Sequence, residues 1–295
     1  MRWEDERESS NVEDARGGGG FSIGGRGAGI GCGGLIVILL VSWLTGINPL
    51  QLLNTVQQTQ PSTSQAPAAP SRGNPGEPGR PGQPPADRLG KFASAVLGST
   101  EDVWKDLFSK MGRTYHEPRL VLFSQAINSS CGFASAATGP FYCEQDKKVY
   151  LDLSFFQELS TRFGASGDFA DAYVIAHEVG HHVQDELGLF QQIGGRRSRG
   201  EDSASVRIEL QADCFAGVWG FHANKDRHII EPGDFEQGLR AAAAIGDDRI
   251  QKQTQGYVAP ESFTHGSSQE RTEALRQGLE SGDPGRCETF GVRGR

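Results

Sequence analysis

No C-x-x-C spacing occurs among the five cysteines of this 295-residue chain. That absence argues against a zinc site built from thiolates. An excess of positive charge is missing too. The formal net charge is −8, which argues against nucleic acid as a general partner. Apolar runs are scarce. The longest, Ile30–Ile47, carries no charge and lies near the lower limit for crossing a bilayer, about 17–20 residues. The length allows one sizeable domain plus appendages.

What is present is concentrated at residues 174–183, Val-Ile-Ala-His-Glu-Val-Gly-His-His-Val. His177-Glu178-x-x-His181 has the spacing of a zinc-hydrolase motif carried on a helix. A period of 3.6 residues puts His177 and His181 on one face, one above the other. Two imidazoles so placed can hold one Zn²⁺, and Glu178 is near enough to take a proton from an activated water. No other charge and no proline interrupts the stretch. The competing reading is a buried helix with two satisfied core histidines. Gly180 costs a helix about 1 kcal/mol relative to Ala, so something is expected to approach the backbone there. His182 lies off the His177/His181 face and reads as a packing or supporting residue.

A catalytic zinc needs a third protein ligand. Glu209 and Asp213 stand four residues apart and share a helix face, beside an apolar stripe of Leu210, Cys214, Gly217, Val218 and Phe221. Acids next to a buried face call for a cation. Glu209 is the expected third ligand, and Asp213 is expected to orient a ligand histidine by accepting its other N–H. The reverse assignment stays open, as does a solvated acidic face.

HEVGHH, then ELQADCFAG, then Thr264-His265-Gly-Ser-Ser-Gln-Glu-Arg271 resemble the putative neutral zinc metallopeptidase family of bacterial membrane-anchored proteins. The similarity runs through most of residues 91–290. It touches the start as well, where Ser9-Ser10-Asn11-Val12-Glu13-Asp14 resembles the family's N-terminal signature. The wider pattern is similar to gluzincin-type membrane proteases. The resemblance implies a zincin-like fold and one catalytic Zn²⁺. His265, from the THGSS segment, becomes a candidate donor to the developing oxyanion, with Tyr257 second; otherwise His265 caps the last helix. Arg271 is expected to pair with a buried acid. The expected fold class is α+β, mostly helical with a small antiparallel sheet, preceded by one transmembrane helix and a disordered linker.

Residues 1–28 are polar and glycine-rich and read as a disordered cytoplasmic tail. Residues 29–47 read as an uncleaved transmembrane anchor, with Trp43 suited to an interface and a cleaved signal peptide as the rival. Residues 48–88 read as a linker: eight of the 14 prolines fall between Gln57 and Arg88, giving a semi-rigid tether. Residues 89–295 form the expected metallopeptidase domain. Arg16 and Arg26 precede the span, and Leu50–Pro70 has no Lys or Arg. By the positive-inside rule the tail is cytoplasmic and the domain exterior, a single-pass protein of the cytoplasmic membrane. An oxidising exterior suits two disulfides. We pair Cys131 with Cys143 and Cys214 with Cys287, although four cysteines admit three connectivities and free buried thiols remain an alternative.

Helices are expected at 101–111 with Thr100 as N-cap, and at 154–163, 168–187, 203–223, 232–244 and 268–279. Strands are expected at 119–123, 141–142 and 149–153, and the stretch Ser135–Leu153 is a candidate for pairing with an extended substrate. Three functions fit the pattern. A membrane-tethered endopeptidase acting on a peptide or protein leads. A zinc amidase acting on a cell-envelope amide and a catalytically silent, zinc-stabilised adaptor follow.

Overall fold

The computed structural model describes residues 1–16, 84–192 and 198–290. The expected anchor at 29–47, most of the linker and residues 17–28 lie outside these. Among the described residues no helix is long and apolar enough to cross a membrane. The described residues belong to one compact unit.

The strands are β1 (Val12–Asp14), β2 (Arg119–Phe123), β3 (Ala126–Ser129), β4 (Gly132–Ser135), β5 (Phe141–Cys143) and β6 (Lys148–Asp152). The helices are α1 (Arg88–Lys110), α2 (Ser154–Thr161), α3 (Asp168–Glu186), the single turn α4 (Leu189–Gln192), α5 (Ala204–Arg227), α6 (Asp234–Ala244), α7 (Asp247–Gln255) and α8 (Ser268–Ser281). The class is α+β, mostly helical, as expected. The sheet differs from the expected antiparallel one. Its order is β1-β2-β6-β5, with β1/β2 and β2/β6 parallel and only β5/β6 antiparallel. β3 and β4 form a separate antiparallel hairpin. The chain between β2 and β6 spends itself on that hairpin and on β5, so β6 returns to β2 in the same direction.

α5 packs most extensively on α8 and on α3, and α6 covers α3. Trp104, Phe215, Phe169 and Trp219 fill the interior, with Trp104 edge-on to Phe215 at 5.4 Å and Phe169 stacked on Trp219 at 5.8 Å. α5 starts where the Ser203 side chain accepts the Val206 N–H, and α8 starts at a Ser267/Glu270 capping box. Helix α1 begins at Asp87, whose side chain accepts from Gly90 N, well before the expected start. Thr100 is interior and its hydroxyl bonds back to Leu97 O at 2.7 Å. Both disulfides form as paired above, Cys131–Cys143 and Cys214–Cys287.

The first 16 residues overturn the expectation of disorder. Trp3 is buried, packs edge-on to Phe92 at 5.4 Å, and its indole N–H donates to Asp168 at 3.0 Å. β1 adds a parallel strand to β2, with Leu120 N donating to Asn11 O and Ala15 N to Leu122 O. Gly98 of α1 lets this segment lie flat on the helix: a Cβ there would sit 2.4 Å from Arg7 O. Arg16 then bridges Asp14 and Asp87, at 2.6 and 2.5 Å. Polar composition did not prevent order, because strand pairing uses backbone groups and the charges meet fixed partners. Residues 1–16 thus share a sheet with the domain.

Candidate metal centre

α3 and α5 build the site by close approach. A Cβ on Gly180 would lie 2.8 Å from Ala212 O and 3.1 Å from Ala212 Cα. The glycine expected to admit a neighbouring backbone admits the helix that carries Glu209. The His177 and His181 rings, one turn apart, meet edge to face with centroids 4.8 Å apart. His177 Nε2 lies 3.2 Å from Glu209 Oε2, and His181 Nε2 lies 3.5 Å from Glu209 Oε1. Donor atoms of all three residues fall within 4.8 Å of one another. Zinc bonds of about 2.0–2.1 Å in a tetrahedron set neighbouring donor atoms roughly 3.3 Å apart. Two imidazoles and one carboxylate therefore suit zinc in both chemistry and spacing.

The far nitrogens are held just as firmly. His177 Nδ1 donates to Asp213 Oδ1 at 2.8 Å. That carboxylate is buried and gripped by Arg271, Nε to Oδ2 at 2.8 Å and Nη2 to Oδ1 at 2.9 Å. The Tyr173 hydroxyl donates to the same Oδ1 at 2.5 Å and accepts from Arg271 at 3.1 Å. Asp213 thus stands behind His177, and Glu209 faces the Nε2 atoms of both histidines. Burial alone would raise the Asp213 pKa, but Arg271 and His177 outweigh it and hold the group at about 2. His177 shows the mirror effect in the metal-free protein: burial lowers its pKa, while the Asp213 charge and its hydrogen bonds to Asp213 and Glu209 push it up to about 10. Burial would likewise raise Glu209, but the His181 charge and the bonds to both histidines hold it well below the carboxylate range. The cluster calls for positive charge, met by a proton or by a metal.

His181 Nδ1 faces Gln184 Oε1 at 2.9 Å. His182 points elsewhere, as expected. It meets His116 O at 2.6 Å and the Tyr142 hydroxyl at 3.1 Å, packed between Tyr115 and Tyr142. Glu178 is buried beside the ligands, and among the described residues no donor engages its carboxylate.

His265 does not cap α8; Ser267 does. Its side chain is 52% exposed and its Nδ1 lies 3.3 Å from Asp247 Oδ1. Asp247 Oδ2 pins the turn beneath by accepting from the backbone N–H of Thr264, His265 and Gly266 at 2.6, 2.7 and 3.2 Å. Burial lowers the basicity of His265. The Asp247 bond and the Glu209 charge raise it, for a net rise. Tyr257 is exposed. Tyr173, Gln184 and Asp247 were not singled out for the site. Their only signal in the sequence is a polar residue at a helical position that proves buried.

The comparisons agree with this geometry. A family model described as putative neutral zinc metallopeptidase matches residues 1–290, which takes in the N-terminal strand. The uncharacterised protein YpfJ of Escherichia coli (strain K12) is 46% identical over 302 residues, covering 99% of each chain. The uncharacterised protein Rv2575 of Mycobacterium tuberculosis (strain ATCC 25618 / H37Rv) is 46% identical over 205 residues, 65% of this chain and 67% of that one. No solved structure matches.

Proposed function

The chain belongs to the putative neutral zinc metallopeptidase family, and from that premise we propose that it is a zinc-dependent endopeptidase. One observation carries the reading: His177 and His181 turn their Nε2 atoms on Glu209, with the buried Glu178 next in sequence to His177. His177, His181 and Glu209 would hold the ion. Bound there, zinc supplies Lewis acidity, which acidifies water and polarises a carbonyl. Glu178 takes the proton of the attacking water and delivers it to the nitrogen of the leaving amine. His265, steadied by Asp247, donates from Nε2 to the oxygen that gains charge. Asp213 and Arg271 touch no substrate; Asp213 accepts the Nδ1–H of His177, which leaves the Nε2 lone pair for the ion and keeps the ring correctly turned.

Substrate would lie extended along β5. Among the described residues that strand is at the sheet's end with one partner, β6, and the Tyr142 hydroxyl donates to Asp185 of α3 at 2.8 Å. A free strand edge offers main-chain hydrogen bonds to a peptide, which favours a peptide over a non-peptide amide.

The two disulfides support an oxidising compartment for the domain. Residues 1–16 would then share that compartment, and any bilayer contact through 29–47 would enter and leave by the same face.

The test is a peptide-library digest with the zinc-loaded full chain and with Glu178→Gln. The variant should keep its zinc and lose hydrolysis. Full peptidase activity in Glu178→Gln removes Glu178 from the mechanism, and a zinc-loaded parent that cuts no peptide sinks the endopeptidase reading.

A further inference from the structure

His177 has a carboxylate behind it, and the pattern of acids announced that. His181 has an amide. Gln184 lies three residues on along α3, so its side chain rises on the same side of the helix. It is fully buried, at 0% exposure, and every polar atom it owns is used. Its Nε2 lies 2.8 Å from the carbonyl oxygen of Ile208 and 3.0 Å from Gln211 Oε1. The Ile208 carbonyl can only accept. The amide nitrogen must therefore face it, and Oε1 must face His181. An oxygen there can only accept, so His181 has to donate from Nδ1. Its lone pair is left on Nε2, the atom turned to Glu209. The protein decides the tautomer of the second histidine without any charge.

The amide is itself held from behind. Gln211, on α5 between Glu209 and Asp213, turns Oε1 to Gln184 and its Nε2 to the carbonyl of Cys287, 3.4 Å away. Cys287 is buried and bonded to Cys214 of the same helix α5. One path thus runs from the C-terminal disulfide through two side-chain amides to a metal ligand.

We propose that Gln184 is a positioning residue for the metal site, fixing His181 as the Nδ1–H tautomer and in its rotation, and that the Cys214–Cys287 disulfide supports it through Gln211. This rests on the reading that His177, His181 and Glu209 hold a divalent metal. The amide has a specific use there. A second carboxylate behind His181 would add negative charge to a site that already holds Glu209, Asp213 and Glu178. Gln184 orients the ring and leaves the charge unchanged.

The experiment measures zinc affinity of the full chain by chelator competition and the visible absorption of the Co²⁺-loaded protein. Gln184→Leu should weaken zinc about 10–100-fold and alter the Co²⁺ bands, with the fold retained by circular dichroism. Ser99→Ala removes a buried bond to Trp219 far from the relay and should leave both readouts unchanged. Gln211→Leu keeps the His181–Gln184 contact and should weaken zinc by a smaller factor, as should the paired change Cys214→Ala with Cys287→Ala. Gln211→Leu also serves if Gln184→Leu fails to fold, because unchanged affinity and bands in it then overturn the relay. A folded Gln184→Leu with parental affinity and bands overturns the proposal while the metal reading stands. A parent that takes up neither zinc nor Co²⁺ overturns both.

Discussion

Asp213→Asn is the sharpest perturbation of the site's foundation. The carboxylate is fully buried and answers Arg271 twice, His177 once and Tyr173 once. Asparagine keeps the shape but turns an NH₂ toward one of these donors and removes the counter-charge of Arg271, itself only 3% exposed. Breaking a buried pair from one side costs about 3–5 kcal/mol. The titration of the group gives a second figure. Its folded pKa of about 2 lies below the ordinary 3.8. That corresponds to roughly 2 kcal/mol of stability, present above the unfolded value and lost as pH falls through the folded one. Both figures are a large share of a domain's stability of about 5–15 kcal/mol. Urea unfolding of the metal-free protein should show the loss, and zinc affinity should fall about 10–100-fold as His177 loses its orienting acceptor. Adding Arg271→Met removes the orphaned charge. Most of the stability should then return while the zinc deficit persists. A single variant that unfolds within about 0.5 kcal/mol of the parent, or a double variant no more stable than the single, would refute a stabilising role for the Asp213–Arg271 pair.

Acid should release the N-terminal strand. Burial would raise both Asp87 and Glu13, yet both titrate below their ordinary values because their hydrogen bonds outweigh it. For Asp87 the bonds come from Arg16 and the Gly90 N–H, and for Glu13 from Lys148 and Arg119. Depressed carboxylates stabilise above the unfolded pKa, and that contribution is lost as pH falls through the folded one. Hydrogen exchange at Ala15 and Leu120, corrected for intrinsic rates, should therefore be faster at pH ~3 than at pH ~6; equal protection would contradict this. Gly180→Ala should destabilise by about 1–3 kcal/mol through overpacking against Ala212, despite a helix-propensity gain of about 1 kcal/mol, and a stabilised variant would refute the close approach of α3 and α5. Ser10→Cys and Ser109→Cys, at exposed positions of the N-terminal segment and of α1, should react alike with a membrane-impermeant maleimide on intact cells. Labelling of one without the other would show that a membrane separates them.

The His177/His181/Glu209 cluster was legible because a zinc site demands fixed residue types at fixed helical spacing. His177, Glu178, His181 and Glu209 could be read from the pattern alone, and Gly180 marked where the second helix had to come close. What lies behind the ligands was only half legible. Asp213 is an acid at a telling position, whereas Gln184 and Tyr173 are ordinary residues until their burial is known. The start of α1 was hidden for a different reason. Nearly every residue from Gly90 to Glu101 is buried, so there is no polar face and no amphipathic stripe to read. Thr100 invited an N-cap reading, but its hydroxyl is satisfied inside the helix.

β1 left the faintest trace, since a strand held by backbone bonds at a sheet edge needs no apolar alternation. The segment Ser9–Asp14 nevertheless answers a specific need of the domain. Glu101 of α1 is 1% exposed. Its carboxylate accepts from Ser9 Oγ at 2.5 Å, Asn11 Nδ2 at 2.8 Å and Arg7 Nη2 at 2.8 Å. Without the first 16 residues that charge loses these three partners and β2 loses its outer neighbour. A fragment that begins at Leu89 therefore lacks a strand of the sheet and the counter-charge of a buried acid. The unit that can be expected to fold joins the N-terminal segment to α1, through whatever lies between Arg16 and Asp87, because those two side chains already touch.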